Sequence, residues 1–306
     1  MPASMPLIYW IAFHVLVGCL LLADLWAISK VREFSPRKSA LWTGAWLLAA
    51  AGFAVFLFVK FGKQPALEFS AGYLVEESLS VDNLFVFLLL FRSFGIDRLN
   101  QRRVLLYGVL GAIVMRGAFI FGGVALLRKF SWVSYVFAAI LLFTSVRLLR
   151  PSHQTDARPK WFAVLDRIHP IAKGDYGQKF IVRENGQRAF TVLFVALVAV
   201  ELTDIIFAFD SVPAVLAITR HPFIAYTSNV LAVMGLRALY IVLANALERF
   251  YLLHYGLALI LAFVGAKMLL AQVVEVNAAI SLAVIVGILA FFMILSLKRR
   301  RPAQPS

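Results

Sequence analysis

Six carboxylates of this chain lie where a lipid bilayer should forbid them. The apolar run from Leu74 to Phe91 carries Glu76, Glu77 and Asp82, and the run from Phe190 to Ala217 carries Glu201, Asp204 and Asp210. An aspartate near the centre of a membrane-spanning helix costs roughly 2.5 to 3.5 kcal/mol on insertion scales, so such acids persist only when protonated, paired or bound to metal inside a bundle. The spacing repeats: Glu76, five residues, Asp82-Asn83 in the first run matches Asp204, five residues, Asp210-Ser211 in the second. Carboxylates, an amide and hydroxyls are hard oxygen donors, suited to Mg²⁺, Ca²⁺ or Mn²⁺ and without special affinity for Cu(I) or for Zn²⁺ held by Cys and His.

At 3.6 residues per turn, Glu76, Ser80 and Asn83 fall on one helical stripe, and Glu201, Asp204 and Ser211 fall on another. Asp82 and Asp210 lie off these stripes by about 120°, so local unwinding is expected to bring each round to its partner. Pro213 supplies a cause in the second run, because it cannot donate to the carbonyl of Phe209 and frees an oxygen beside Asp210. Pairing with intramembrane bases is the alternative use of the acids, and Arg116, Arg237 and Lys267 are available for it. Three bases cannot neutralise six acids, which leaves a deficit that a dication and protons would balance. Glu77 has no counterpart in the second run and is expected to be a bystander. Asp24 is expected either to join the site or to cap the membrane interface beside Lys30, and Asn229 and Asn245 to serve as interhelical hydrogen bonders. The glycines of the fourth span (Gly108, Gly111, Gly117, Gly122 and Gly123) are assigned to close helix packing.

The elements that must position these groups are membrane spans. The chain has 306 residues, is 62% hydrophobic and has a mean hydropathy of +0.85. Runs long enough to cross about 30 Å of hydrocarbon recur along it. Nine spans are predicted, at about residues 7–28, 40–60, 69–91, 103–127, 131–149, 190–217, 223–246, 249–271 and 277–297. The net charge of +14 is carried by Lys and Arg clustered between apolar runs. That pattern reports topology rather than a nucleic-acid partner. It places the N-terminus outside, and the C-terminus and the 150–188 connection in the cytoplasm. Within that connection, Glu184-Asn185-Gly186 between short mixed runs predicts a hairpin turn. The fold class is thus all-α, a polytopic transmembrane bundle forming a single transporter domain over 1–306. The third and sixth spans run in opposite senses, as in an inverted-repeat transporter.

The lone cysteine, Cys19, permits no intramolecular disulfide and no thiolate cluster. No nucleophile and base arrangement, phosphate loop or cofactor motif is present, so neither an enzyme nor a prosthetic group is expected. At least four of the five histidines are expected to be structural or solvated.

Several strings make the chain resemble the TerC family of membrane proteins, whose Alx branch is associated with manganese export. They are Val75 to Asn83, Phe180 to Gly186, Glu201 to Ala214, and Thr227-Ser228-Asn229 through Gly235 to Tyr240. By that resemblance Glu76, Asp82, Glu201, Asp204 and Asp210 handle the metal; the helical stripes, not the resemblance, add Asn83 and Ser211 as candidate donors. The resemblance implies a bacterial inner-membrane exporter with manganese as transported substrate. One departure is Thr191-Val192, where the family usually shows Thr-Pro, and its loss is expected to straighten the start of the sixth span. Tellurite, which the family name suggests, is an oxyanion that a carboxylate-lined site would repel. Moving a dication against an inside-negative potential costs about 4.6 kcal/mol per 100 mV. Coupling to protons is therefore expected, since carboxylates must lose protons to bind metal. Calcium or another hard dication is the alternative substrate, and a non-transport membrane assembly factor the alternative role.

Overall fold

A computed structural model describes residues 5–29, 36–130, 132–149, 172, 176–184, 187–246, 252–270, 276 and 278–298. The side chains of Asp82, Arg237, Asn245 and His254 lie outside that description, as does most of 150–175. Among the described residues there are nine helices: α1 (Leu7–Ser29), α2 (Pro36–Phe61), α3 (Lys63–Ser93), α4 (Arg98–Lys129), α5 (Val133–Leu149), α6 (Val192–Ile218), α7 (Pro222–Ala246), α8 (Leu253–Leu270) and α9 (Ala278–Lys298). Each coincides with one predicted span. Helices α3 and α4 extend beyond the predicted limits at both ends, because apolarity marks the hydrocarbon zone while the hydrogen-bonded helix continues into polar residues.

Five of the helices are long and apolar enough to cross a membrane, α6 among them. Large apolar side chains face outward, with Val114 70% and Ile206 62% exposed. In water such a surface would drive aggregation; in lipid it is the natural exterior. The fold is that of a polytopic helical membrane protein.

The core of the bundle is the quartet α3, α4, α6 and α7. Helix α3 packs most broadly on α7, and α6 most broadly on α4, while α3 with α6 and α4 with α7 close the ring. Helices α5 and α8 pack on each other beside it. Exchanging α3, α4 and α5 for α6, α7 and α8 maps these main contacts onto themselves, the pattern an inverted repeat requires. The direction agrees. Thr219 at the end of α6 donates to Glu68 near the start of α3 at 2.6 Å, and a Cβ on Gly72 would lie 3.7 Å from Val215 Cγ1. Numbers therefore rise along α3 as they fall along α6, and the two helices are antiparallel.

Both helices are continuous, which corrects the expectation of local unwinding. Helix α6 runs unbroken through Pro213, and α3 has no interruption from Lys63 to Ser93. A proline removes one backbone hydrogen bond, and neighbouring helices let a spanning helix tolerate that loss without breaking.

The predicted hairpin forms as β1 (Ile181–Glu184) and β2 (Gln187–Phe190), antiparallel, with Glu184 opposite Gln187; Asn185 and Gly186 lie outside the described residues. It is anchored rather than loose. Thr191 donates to the Lys179 carbonyl at 2.7 Å and caps α6 by accepting from the Phe194 amide. Arg103 at the start of α4 lies over the Phe180 ring and donates to Gln178 at 3.1 Å.

Candidate functional site

Helix α4 contributes the residue around which the site is built. Arg116 is fully buried, and its guanidinium hydrogen-bonds to side chains of three other helices. Its Nε donates to Asp204 Oδ2 at 3.1 Å and its Nη2 to Asp204 Oδ1 at 2.7 Å. Its Nη1 pairs with Glu76 Oε1 and donates to Ser211 Oγ and Asn229 Oδ1, each at 3.3 Å. Asn229 in turn donates to Glu76 Oε2 at 2.9 Å. A planar fork with five donors meets two carboxylates, a hydroxyl and an amide, a set no lysine could satisfy in the same way.

Helical spacing explains why these four oxygen-bearing residues converge. Asp204 and Ser211 are seven residues apart, two turns along the inward face of α6, and Glu76 stands opposite them because α3 is antiparallel. Of the predicted stripes, Glu76, Ser80, Asn83, Asp204 and Ser211 are buried and Glu201 is half-buried. Two carboxylates against one guanidinium leave this centre with one net negative charge when the acids are ionised.

Glu201 lies one turn before Asp204 and half-buried. A Cβ placed on Gly111 of α4 would overlap its carboxylate, so the acid rests directly on the α4 backbone. Gly111 thus does more than permit close helix packing: it leaves room for an acidic side chain. Gly108 serves the packing reading, since its Cβ would meet Val200 Cγ1 at 3.0 Å.

The structure does not bring every sequence-predicted residue to this centre. Asp210 turns the other way, towards α5, where its Oδ1 accepts from Thr144 Oγ1 at 2.8 Å. The physical reason is the unbroken helix: six residues from Asp204 is 240°, and without unwinding Asp210 stays on a different face. The Asp82 side chain lies outside those described. Glu77 lies beside Gly235 of α7. Asp24 accepts from Trp42 Nε1 at 2.6 Å, which places it at the α1 and α2 packing rather than at the centre. Lys267 donates to Ser281 on α9. His14 bridges the Trp10 carbonyl and the Tyr226 hydroxyl, a structural role as expected.

One feature of the centre is beyond sequence reasoning, the place of Arg116 at its middle, although a lone arginine inside the apolar run 104–127 is a signal for it. Asn229 is the interhelical hydrogen bonder the sequence predicts, accepting from Arg116 on α4 and donating to Glu76 on α3, within Thr227-Ser228-Asn229, a polar triplet that is fully buried.

Two further observations bear on access. Asp204 forms the charged wall of a cavity of about 20 Å³ otherwise lined by apolar side chains including Phe87, Leu105, Val200 and Leu236. That is room for about one water molecule. Along α3, Ser80 Oγ and Asn83 Nδ2 are buried without a hydrogen-bond partner, while Tyr73 and Glu77, one turn apart, face each other. Each such atom costs about 1–3 kcal/mol when left dry, so a polar row of this kind implies contact with water or a cation.

A helical membrane bundle with a buried acidic centre on antiparallel helices defines a class, and comparison with known proteins defines the family. The profile of the integral membrane protein TerC family matches residues 61–304. The chain belongs to that family. Among its relatives, an Escherichia coli K12 protein named "Putative membrane-bound redox modulator Alx" is 41% identical, with 94% of this chain and 93% of the relative aligned. A Myxococcus xanthus protein, described as an uncharacterized membrane protein, is 40% identical over 97% of this chain and 94% of its own length. A Rickettsia felis membrane protein is 37% identical over 95% and 98%. No solved structure matches the chain.

Proposed function

We propose that this protein moves a hard divalent cation across the bacterial inner membrane, outward from the cytoplasm, by alternating access with proton counterflow. The observation that carries the reading is the convergence of Glu76 and Asp204, both buried, from antiparallel helices onto one point. Every side chain there other than Arg116 offers oxygen, which favours Mg²⁺, Ca²⁺ or Mn²⁺ over softer ions. Manganese is the substrate that the family resemblance implies. Glu76, Asp204, Ser211 and Asn83 would hold it, with Glu201, Asp82 and Asp210 handling the ion or the protons on its path. The N-terminus is outside and the C-terminus cytoplasmic in this proposal.

The name of the Escherichia coli relative refers to redox modulation. With Cys19 as its sole cysteine, this chain has no second thiol for an internal disulfide cycle. A redox effect of this protein would then be exerted through the ion it moves.

The test is flux in proteoliposomes carrying one dye for manganese and one for pH. Manganese movement with opposed proton movement is expected, abolished by Glu76→Gln and by Asp204→Asn. Manganese flux without proton movement would refute antiport, and no flux of any divalent ion would refute transport. Competition by calcium in the same assay decides between the two substrates. If either variant keeps manganese flux while assembly of other membrane proteins fails, the assembly-factor role replaces this one.

A further inference from the structure

We infer that Arg116 is a resident cation that the transported dication displaces, and that Glu201 receives its guanidinium when it moves. The inference rests on the transport reading above and concerns how the same centre is loaded and emptied.

The four carboxylate oxygens of Glu76 and Asp204 are all engaged, three by Arg116 and one by Asn229. A hard dication takes carboxylate oxygens at about 2.0 to 2.6 Å. The guanidinium sets a positive charge between Glu76 and Asp204 and holds three of those oxygens, so it opposes a dication at the same point. Charge leads to the same conclusion. With all groups ionised, Glu76, Asp204, Glu201 and Arg116 sum to −2, which one dication neutralises, provided the guanidinium leaves Glu76 and Asp204 but stays within the cluster.

Glu201 is placed to accept it. Side chains on a helix lean towards its N-terminus, and the Glu201 carboxylate rests on α4 at Gly111, five residues from Arg116 towards that end, about 7.5 Å along the helix and about 140° around it, so the guanidinium must swing to a neighbouring face to reach it. Glu201 lies one turn before Asp204 on α6. The guanidinium thus exchanges one carboxylate neighbour for another without leaving the acidic cluster. On the return step Arg116 neutralises Glu76 and Asp204, which leaves proton exchange to the acids it does not touch.

The test is Mn²⁺ binding to the purified full-length protein, read from the loss of the free-ion electron paramagnetic resonance signal, alongside turnover in proteoliposomes. Arg116→Gln is expected to bind Mn²⁺ at least tenfold more tightly than wild type while turnover falls at least tenfold, because nothing displaces the bound ion. If Arg116→Gln does not give a monodisperse protein, Arg116→Lys, which lacks the fork, carries the test with a smaller rise in affinity. Glu201→Gln is expected to weaken binding about tenfold in the wild-type background and to have no effect beside Arg116→Gln. Equal weakening in both backgrounds would make Glu201 a direct ligand and overturn its assigned role. Unchanged or weaker binding in the arginine variants would overturn the exchange while leaving transport intact. No Mn²⁺ binding by the wild type would instead refute the manganese reading itself.

Discussion

Asp204 and Arg116 meet in a side-on bidentate pair, Nε to Oδ2 at 3.1 Å and Nη2 to Oδ1 at 2.7 Å, both within the buried centre of the bundle. Both carboxylate oxygens are committed to one guanidinium. That geometry ties α6 to α4 at the level where α3 and α7 also arrive, and makes the pair structural as well as chemical.

Removing one member of a buried ion pair costs about 3–5 kcal/mol, because the other charge is left without its partner. Asp204→Asn should therefore lower the thermal midpoint in detergent substantially. Combined with Arg116→Gln, the loss should be smaller than the sum of the two single losses. Additive losses would show that the two side chains are not energetically coupled.

Asp210 predicts a contrast. It is half-buried and its recorded bond is the one accepted from Thr144. Asp210→Asn keeps an acceptor oxygen for that bond, and Thr144→Val removes the donor; each should change stability by about 1 kcal/mol or less. Loss of manganese flux in Asp210→Asn with an unchanged thermal midpoint would place this acid on the ion or proton path. Retained flux would remove it.

Gly111→Ala should displace the Glu201 carboxylate without disturbing the fold, since the flexible end of a side chain, and not backbone, stands where the methyl would go. Flux should fall several-fold at an unchanged thermal midpoint. Gly122→Ala is the control, because nothing lies within 4 Å of its added Cβ. Equal behaviour of the two variants would mean that the position of Glu201 is immaterial.

The unpartnered row on α3 is checked by chemistry. With Cys19 replaced by alanine, Ser80→Cys should react with a charged, membrane-impermeant thiol reagent and be protected by Mn²⁺. Ser80 is fully buried, so a dry interior would leave the thiol inert. An unreactive Ser80→Cys in a transporting protein would show that no aqueous path reaches this row.

Much of this was legible in the residues themselves. Apolar run length set the nine helices, because a segment in lipid must satisfy its own backbone hydrogen bonds and helices do so locally. The 3.6-residue period put Glu76, Ser80 and Asn83 on one buried stripe and Asp204 with Ser211 on another. The repeated acid-to-Asp spacing pointed to related helices, the order of the spans to their antiparallel sense, and the Glu-Asn-Gly signal to the hairpin before α6. These are all properties of neighbours along the chain.

What the tertiary structure alone decided is which of the acids meet, and what stands between them. Arg116 lies 40 residues from Glu76 and 88 from Asp204, and no local period relates them. Whether Pro213 would break α6 depended on the support of packed neighbours; the helix stayed whole, and Asp210 was left facing Thr144 on α5 instead of the centre. The position of Glu201 depended on a notch at Gly111 in another helix. A sequence fixes the face a side chain takes on its own helix, through bond geometry; what that face meets is set by how the helices pack, through contacts between residues far apart in the chain.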